Sequence, residues 1–194
     1  SGSYHRTIQG LLTLLEMGIG VTVKQVISRW NYQRLPEFVE FLYRTFKTKI
    51  CITLCGMDLC GIQPEFIPDV AVDYLTMQNK LEQALDVILS LRQQIHAFPQ
   101  VTVADLPLCG VDPYYWGFFT KVSRGQLSLY SAPEGESGKV SQHSQIENDC
   151  NIYFNACKDC CVADSCPGVW YTAYQYFGET AVNTISPYTE DSVL

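Results

Sequence analysis

Four cysteines stand where a chain could wrap a metal: Cys109, then Cys157, Cys160 and Cys166 in a C-x2-C-x5-C run. Thiolates are soft ligands, and that softness selects zinc or an iron–sulfur centre. A [4Fe–4S] cluster takes four thiolates at the corners of a cube. A structural zinc takes four in a tetrahedron. The same residues serve either centre, and both readings stand at this point. Cys161 follows a ligand directly, so its side chain is expected to point elsewhere, as a small hydrophobe. Cys150 is a second spare. Lys24 is the other chemical candidate. In the alternation Thr22, Lys24, Val26, Ser28 it places an ammonium on one face of an apolar strand. There it either lines a cavity or snorkels from a rim. Ser28, Arg29 and Asn31 follow at the strand's C-terminal end, where parallel α/β folds put their ligands. Asn31 would serve equally well by satisfying the backbone at a turn. Cys51 and Cys55, two positions either side of Thr53, read as buried free thiols. The three histidines make no ligand pattern, and His143 reads as solvated. There is no nucleophile elbow, phosphate loop or dinucleotide fingerprint.

The elements that must position these residues alternate in type. Ile8, Leu11, Leu12 and Leu15 mark one face of a helix over 6–17, ended by Gly18 and Gly20. Residues 21–28 are a β-branched strand. Pro36 opens a helix striped by Leu35, Phe38, Val39, Leu42 and Phe46. A strand over 50–55 ends at Gly56. Thr76 is expected to cap a long helix through about Gln94, buried along Leu81, Ala84, Leu85, Ile88 and Leu91. A third strand over 101–106 stops at Pro107. Such alternation predicts parallel strands, right-handed crossovers and helices on one side. Beyond it come an aromatic cluster at Tyr114, Tyr115, Trp116, Phe118 and Phe119, and a polar loop over 123–151. A cysteine-bearing loop over 157–168, a short aromatic helix over 170–177 ended by Gly178, and an acidic tail from Pro187 complete the chain.

Bulk properties narrow the field. The 194 residues, 47% hydrophobic, can bury a real core, and the net charge is −7. An acidic chain without a basic cluster is a poor nucleic-acid binder. No run of eighteen apolar residues offers a membrane span, and Ser1-Gly2-Ser3 has no signal-peptide core. Nine cysteines, an odd number in a chain this long, favour reduced thiols over a disulfide framework. The expected location is therefore the cytoplasm. Three parallel strands leave edges uncovered, so the chain reads as the later part of a larger α/β protein or as one completed by association.

The order of these features resembles the C-terminal half of radical SAM enzymes that carry a SPASM- or twitch-type auxiliary cluster domain. Gly18-x-Gly20 through Ile27, followed by Asn31 and Leu35, resembles that family's fifth barrel strand and the helix after it. Phe41-Leu42 through Cys55-Gly56 resembles the sixth. Asp105-Leu106-Pro107-Leu108-Cys109 is similar to the strand whose end supplies the first auxiliary-cluster cysteine. Cys157, Cys160 and Cys166, with Gly168, Tyr174 and Phe177-Gly178, resemble the remaining ligands and their covering helix. The similarity spans most of residues 6–180 and leans toward peptide maturases of the His-Xaa-Ser system. It implies an α/β fold: half of a parallel (β/α) barrel over 1–106, a small cysteine-rich auxiliary domain over 107–186, and a tail over 187–194. It also implies an auxiliary [4Fe–4S] cluster on Cys109, Cys157, Cys160 and Cys166, with their sulfurs around one centre and zinc as the alternative occupant. Lys24, Ser28, Arg29 and Asn31 become cofactor-binding candidates. The family's defining CxxxCxxC is absent from these residues, and Cys51-x3-Cys55-x4-Cys60 does not match its spacing. S-adenosylmethionine would thus be bound only together with an N-terminal half, and no cleavage of it is expected from this chain alone. A peptide is the implied substrate. The open face of the half-barrel is expected to be apolar and to drive self-association. The competing reading is a non-enzymatic zinc module that binds a partner.

Overall fold

The computed structural model describes residues 2–95, 100–119, 151–182 and 184–185. The polar loop before Asn151, His96, His143, Cys150 and the tail from Pro187 lie outside the described residues. The element order is α1 (Gly2–Glu16), β1 (Val21–Val26), α2 (Leu35–Phe46), β2 (Ile50–Cys55), the single turn α3 (Ile67–Val70), α4 (Tyr74–Ile95) and β3 (Gln100–Ala104). A 3-10 run at Pro113–Phe118 follows. The cysteine segment then contributes β4 (Asn151–Ile152), β5 (Val169–Trp170) and α5 (Tyr171–Phe177).

The three long strands form one sheet in the order β1-β2-β3, all parallel, as the alternation predicts. Register and the two-residue side-chain period divide it into two faces. Val21, Val23, Ile50, Ile52, Leu54, Val101 and Val103 share one face with Gln25. Most of them are buried, in one cluster with Leu35, Val39, Leu42 and Phe46 of α2 and Leu81, Leu85 and Ile88 of α4. The stripes read from the sequence are therefore the buried faces of these helices except at Phe38 and Leu91, which are half-buried, and α1 is only half-buried along Ile8, Leu11, Leu12 and Leu15. The opposite face has rows Thr22–Cys51–Gln100, Lys24–Thr53–Thr102 and Val26–Cys55–Ala104. Its first two rows are polar, which corrects the expectation of an apolar open face there, while the third is apolar. Thr53 and Thr102 share a hydrogen bond of 3.3 Å, and the Cys51 thiol donates to Gln100 Oε1 at 3.3 Å. An open groove of about 410 Å3 runs along it, lined by Thr22, Cys51, Thr53, Gln100, Thr102 and Arg92.

Element ends differ from the sequence reading for local reasons. β1 stops at Val26, whose carbonyl is taken by the side-chain amides of Gln25 and Asn31, each at 2.8 Å. β3 stops at Ala104 because Asp105 adopts a left-handed conformation with φ 58°, one that Asp tolerates better than most residues. α4 starts before Thr76: the Asp73 carboxylate accepts from Thr76 N at 2.8 Å and is the cap, so Thr76 is inside the helix. Gly178, with φ 68°, ends α5 as expected.

The cysteine segment docks onto the same core. Phe154, Val169, Ala173 and Val182 belong to the cluster built by the sheet and helices. Thr172 ties α5 to the loop after β2: its hydroxyl donates to Asp58 Oδ1 at 2.7 Å and accepts from Leu59 N at 3.1 Å. The aromatic run anchors the intervening chain. Tyr115 donates to Asp86 at 2.8 Å, Trp116 Nε1 donates to the Leu108 carbonyl at 3.0 Å, and Phe118 is buried beneath the Arg92 guanidinium at 4.6 Å. Among the described residues no helix is long and apolar enough to cross a membrane.

Candidate metal centre and strand-end site

Leu106 and Pro107 leave the sheet buried, and the turn Leu108–Gly110 carries Cys109, half-buried, at the end of β3. The Cys157–Cys160 turn is closed by Cys160 N donating to the Cys157 carbonyl at 3.2 Å. Cys166 lies opposite. Its sulfur accepts two backbone N–H groups, from Leu108 and from Gly168, each at 3.4 Å. The Leu108 bond joins the turn of Cys109 directly to the cysteine loop. The Gly168 bond, from two residues downstream, folds the chain around the sulfur, and Gly168 can do so at φ 79° because it lacks a Cβ. Tyr153 fixes the same residue by donating to the Cys166 carbonyl at 2.8 Å.

Burial pushes the Cys166 thiol up from its ordinary value. The Leu108 and Gly168 donors oppose this, and the neighbouring Cys157 and Cys160 thiols push it further up. All four candidate ligands are reduced and half-buried. Among the described residues no group of three or more His, Cys, Asp or Glu side chains is placed to hold a metal ion. The four thiols are soft donors, and two backbone N–H groups are aimed at one of their sulfurs, that of Cys166. Cys161 is exposed, not buried; its amide donates to the Ile185 carbonyl at 3.1 Å.

The raised thiols have a consequence for the metal-free protein. The folded state holds the Cys166 proton more tightly than the unfolded chain does, and burial raises Cys55 in the same way. That contribution is fully present below the ordinary thiol value of 9.0 and is lost as pH rises through it and beyond. Urea unfolding of the metal-free protein across pH 7 to 10, a span of about three units, is expected to show stability falling at the alkaline end. A rise there would refute the burial argument.

Lys24, the first of the strand-end candidates, projects from the polar face. Its Nζ lies 3.9 Å from Asp105 Oδ2, across the end of β2. Cys55 sits beneath the pair and is fully buried. Asp105 is pushed up by burial, opposed by Lys24 and reinforced by Asp58. Gly56 creates this corner: a Cβ there would stand 2.1 Å from the Asp105 carbonyl oxygen. Ser28, Arg29 and Asn31 are placed differently. Asn31 Oδ1 accepts from Ser28 N at 2.9 Å while its amide donates to Val26 O, so both ends are engaged by the turn. Ser28 is buried, and Arg29 is exposed with its amide on the Val70 carbonyl. The sequence thus brings forward Lys24 but not Asp105 or Asp58. Asp105 carries a signal, a polar residue directly after a β-branched strand. Asp58 carries none.

No family model, curated protein or solved structure matches this chain.

Proposed function

We propose that the chain is the C-terminal part of a radical SAM enzyme, a peptide- or protein-modifying maturase. Residues 1–106 are then half of a (β/α) barrel. Residues 107–186 are its auxiliary domain, holding a [4Fe–4S] cluster on Cys109, Cys157, Cys160 and Cys166. The observation that carries this reading is the pair of N–H donors on the Cys166 sulfur, one of them from the turn of Cys109. Backbone N–H groups aimed at sulfur are what thiolate centres use to orient and tune their ligands.

The one-sided sheet supports the barrel half of the reading. Two rows of its helix-free face are polar, as an interior that receives a polar ligand must be, and Lys24, Cys55 and Asp105 crown the strand ends. On this reading Lys24 contacts S-adenosylmethionine or a peptide. Ser28 and Asn31 shape the adjoining turn, and Arg29 flanks it. The free edge of β1 is where the N-terminal half, or a second copy, completes the sheet. When bound, the auxiliary cluster would supply an anchor for substrate or a relay for an electron, the demanding chemistry being the cofactor's. With no CxxxCxxC in its sequence, the chain alone forms no 5′-deoxyadenosine. The proposed location is the cytoplasm.

The test is anaerobic reconstitution of the full chain with ferrous iron and sulfide, followed by iron, sulfide and zinc analysis. The expected result is a brown protein with broad absorbance near about 400 nm and stoichiometric iron and sulfide. Tight zinc with no iron retained would favour the interaction-module reading. No metal of either kind would remove both.

A further inference from the structure

Trp30 is 76% exposed and Tyr4 52%, although tryptophan is on average among the well-buried residues. Both stand on ordered chain. Tyr4 lies in the first turn of α1, its ring centroid 6.3 Å from that of Phe41 in α2. Trp30 stands in the turn after β1. That turn is closed by Asn31 N and Tyr32 N donating to the Ser28 carbonyl at 3.1 and 3.0 Å, and by both ends of the Asn31 side chain. Tyr4, Trp30, Phe38 and Phe41 line one open groove of about 470 Å3, together with Arg34 and Glu37. The size and the aromatic lining are those of a binding site.

Charge narrows the occupant. The chain carries a net −7, yet no acidic residue occurs between Glu16 and Glu37, where Lys24, Arg29 and Arg34 stand. Lys24 faces Asp105. Arg29 and Arg34 are exposed, and among the described residues neither has a carboxylate partner. Arg34 belongs to the groove wall, and Arg29 directly precedes Trp30. Glu37 is the one carboxylate of the lining, in the first turn of α2, where the helix dipole favours a negative charge. We propose that this groove docks an acidic peptide segment carrying an aromatic or large apolar side chain. That side chain sits among the four rings, and its acidic neighbours face Arg29 and Arg34. Tryptophan, tyrosine and arginine carry most of the energy at protein interfaces, and a platform already rigid loses little freedom on binding. The proposal uses neither the cysteines nor the polar rows of the sheet, so it stands or falls apart from the metal centre and the barrel. The two charges of the groove give it a sign: Arg34→Gln removes an attraction, and Glu37→Gln removes a repulsion.

The full chain, metal-free, is titrated into a short rhodamine-labelled peptide of aspartate and glutamate around one phenylalanine, with fluorescence anisotropy as the readout. The comparison probes carry lysine for the acidic residues or alanine for the phenylalanine, and a labelled oligothymidylate is the fourth. The acidic phenylalanine peptide should bind most tightly. Its affinity should fall as salt rises from about 0.1 to about 1 M, where the Debye length shrinks from about 10 to about 3 Å. Trp30→Ala should weaken binding about tenfold or more. Arg34→Gln should weaken it about two- to fivefold, and Glu37→Gln should strengthen it by a similar factor. All three side chains are exposed, so circular dichroism should show the fold unchanged. Absence of binding by the acidic peptide, or equal affinity in Trp30→Ala, would overturn the proposal. So would tighter binding of the lysine peptide. Tighter binding of the oligothymidylate would overturn it too and assign the groove to single-stranded nucleic acid.

Discussion

Gly56→Ala is expected to lower the unfolding free energy by about 3 kcal/mol or more, at the upper end of what overpacking costs. The added methyl would stand 2.1 Å from the Asp105 carbonyl oxygen, 2.9 Å from Leu106 Cδ2 and 3.1 Å from the Asp105 carbonyl carbon. Two of these are backbone atoms, so no rotamer change can make room. Gly56 N also donates to the Ala104 carbonyl at 3.0 Å, which fixes the distance between the two chain segments. The sheet must open at the ends of β2 and β3, where Cys55 is buried and Asp105 faces Lys24. Chemical denaturation reads the effect, and a variant as stable as wild type would show that the corner yields easily. Gly61, which meets nothing within 4 Å, sits nearby in sequence at φ 76°. Its replacement by alanine strains only the local backbone and should cost less than that of Gly56.

Cys166→Ala is the second large effect, and it separates the hydrogen bonds of this sulfur from the metal role proposed for it. In the metal-free protein the sulfur accepts from Leu108 N and Gly168 N. Alanine leaves two part-buried donors without an acceptor, a loss of about 1–3 kcal/mol. Cys166→Ser restores an acceptor and should recover part of it. In the loaded protein neither variant is expected to retain a full complement of metal. Alanine offers no ligand, and the hydroxyl of serine is a hard one poorly suited to a soft thiolate centre. Apparent binding energies of structural thiolate sites reach about 10–16 kcal/mol at neutral pH, so the metal-dependent rise in melting temperature should vanish in both. Full metal retention by Cys166→Ser would exclude Cys166 as a ligand.

The long elements were legible because their patterns extend over many residues. The stripe of α4 runs through Leu81, Leu85 and Ile88, and the β-branched run of β1 is preceded by Gly18 and Gly20. Alternation alone then implied the parallel sheet. Ends were less legible, since a few contacts decide them: the Gln25 and Asn31 amides for β1, one carboxylate from Asp73 for α4, one left-handed Asp105 for β3. The polarity of the open face was written in Thr22, Lys24, Thr53 and Thr102, but its meaning depends on register, which pairs residues of three separate segments. Cys109 was tied to the distant cysteine loop by resemblance, and the Leu108–Cys166 hydrogen bond spans 58 residues that no local pattern could bridge.

The Leu59–Thr172 hydrogen bond joins residues 113 apart. The backbone amide of Leu59 is therefore protected by a side chain of the cysteine segment and not by the ladder of the sheet. Its exchange with solvent follows the detachment of α5, while the amides of Ile52 and Leu54 follow the opening of the sheet itself. The difference between those two exchange free energies is the strength with which the cysteine segment is held to the body, and one proton in this fold carries that quantity.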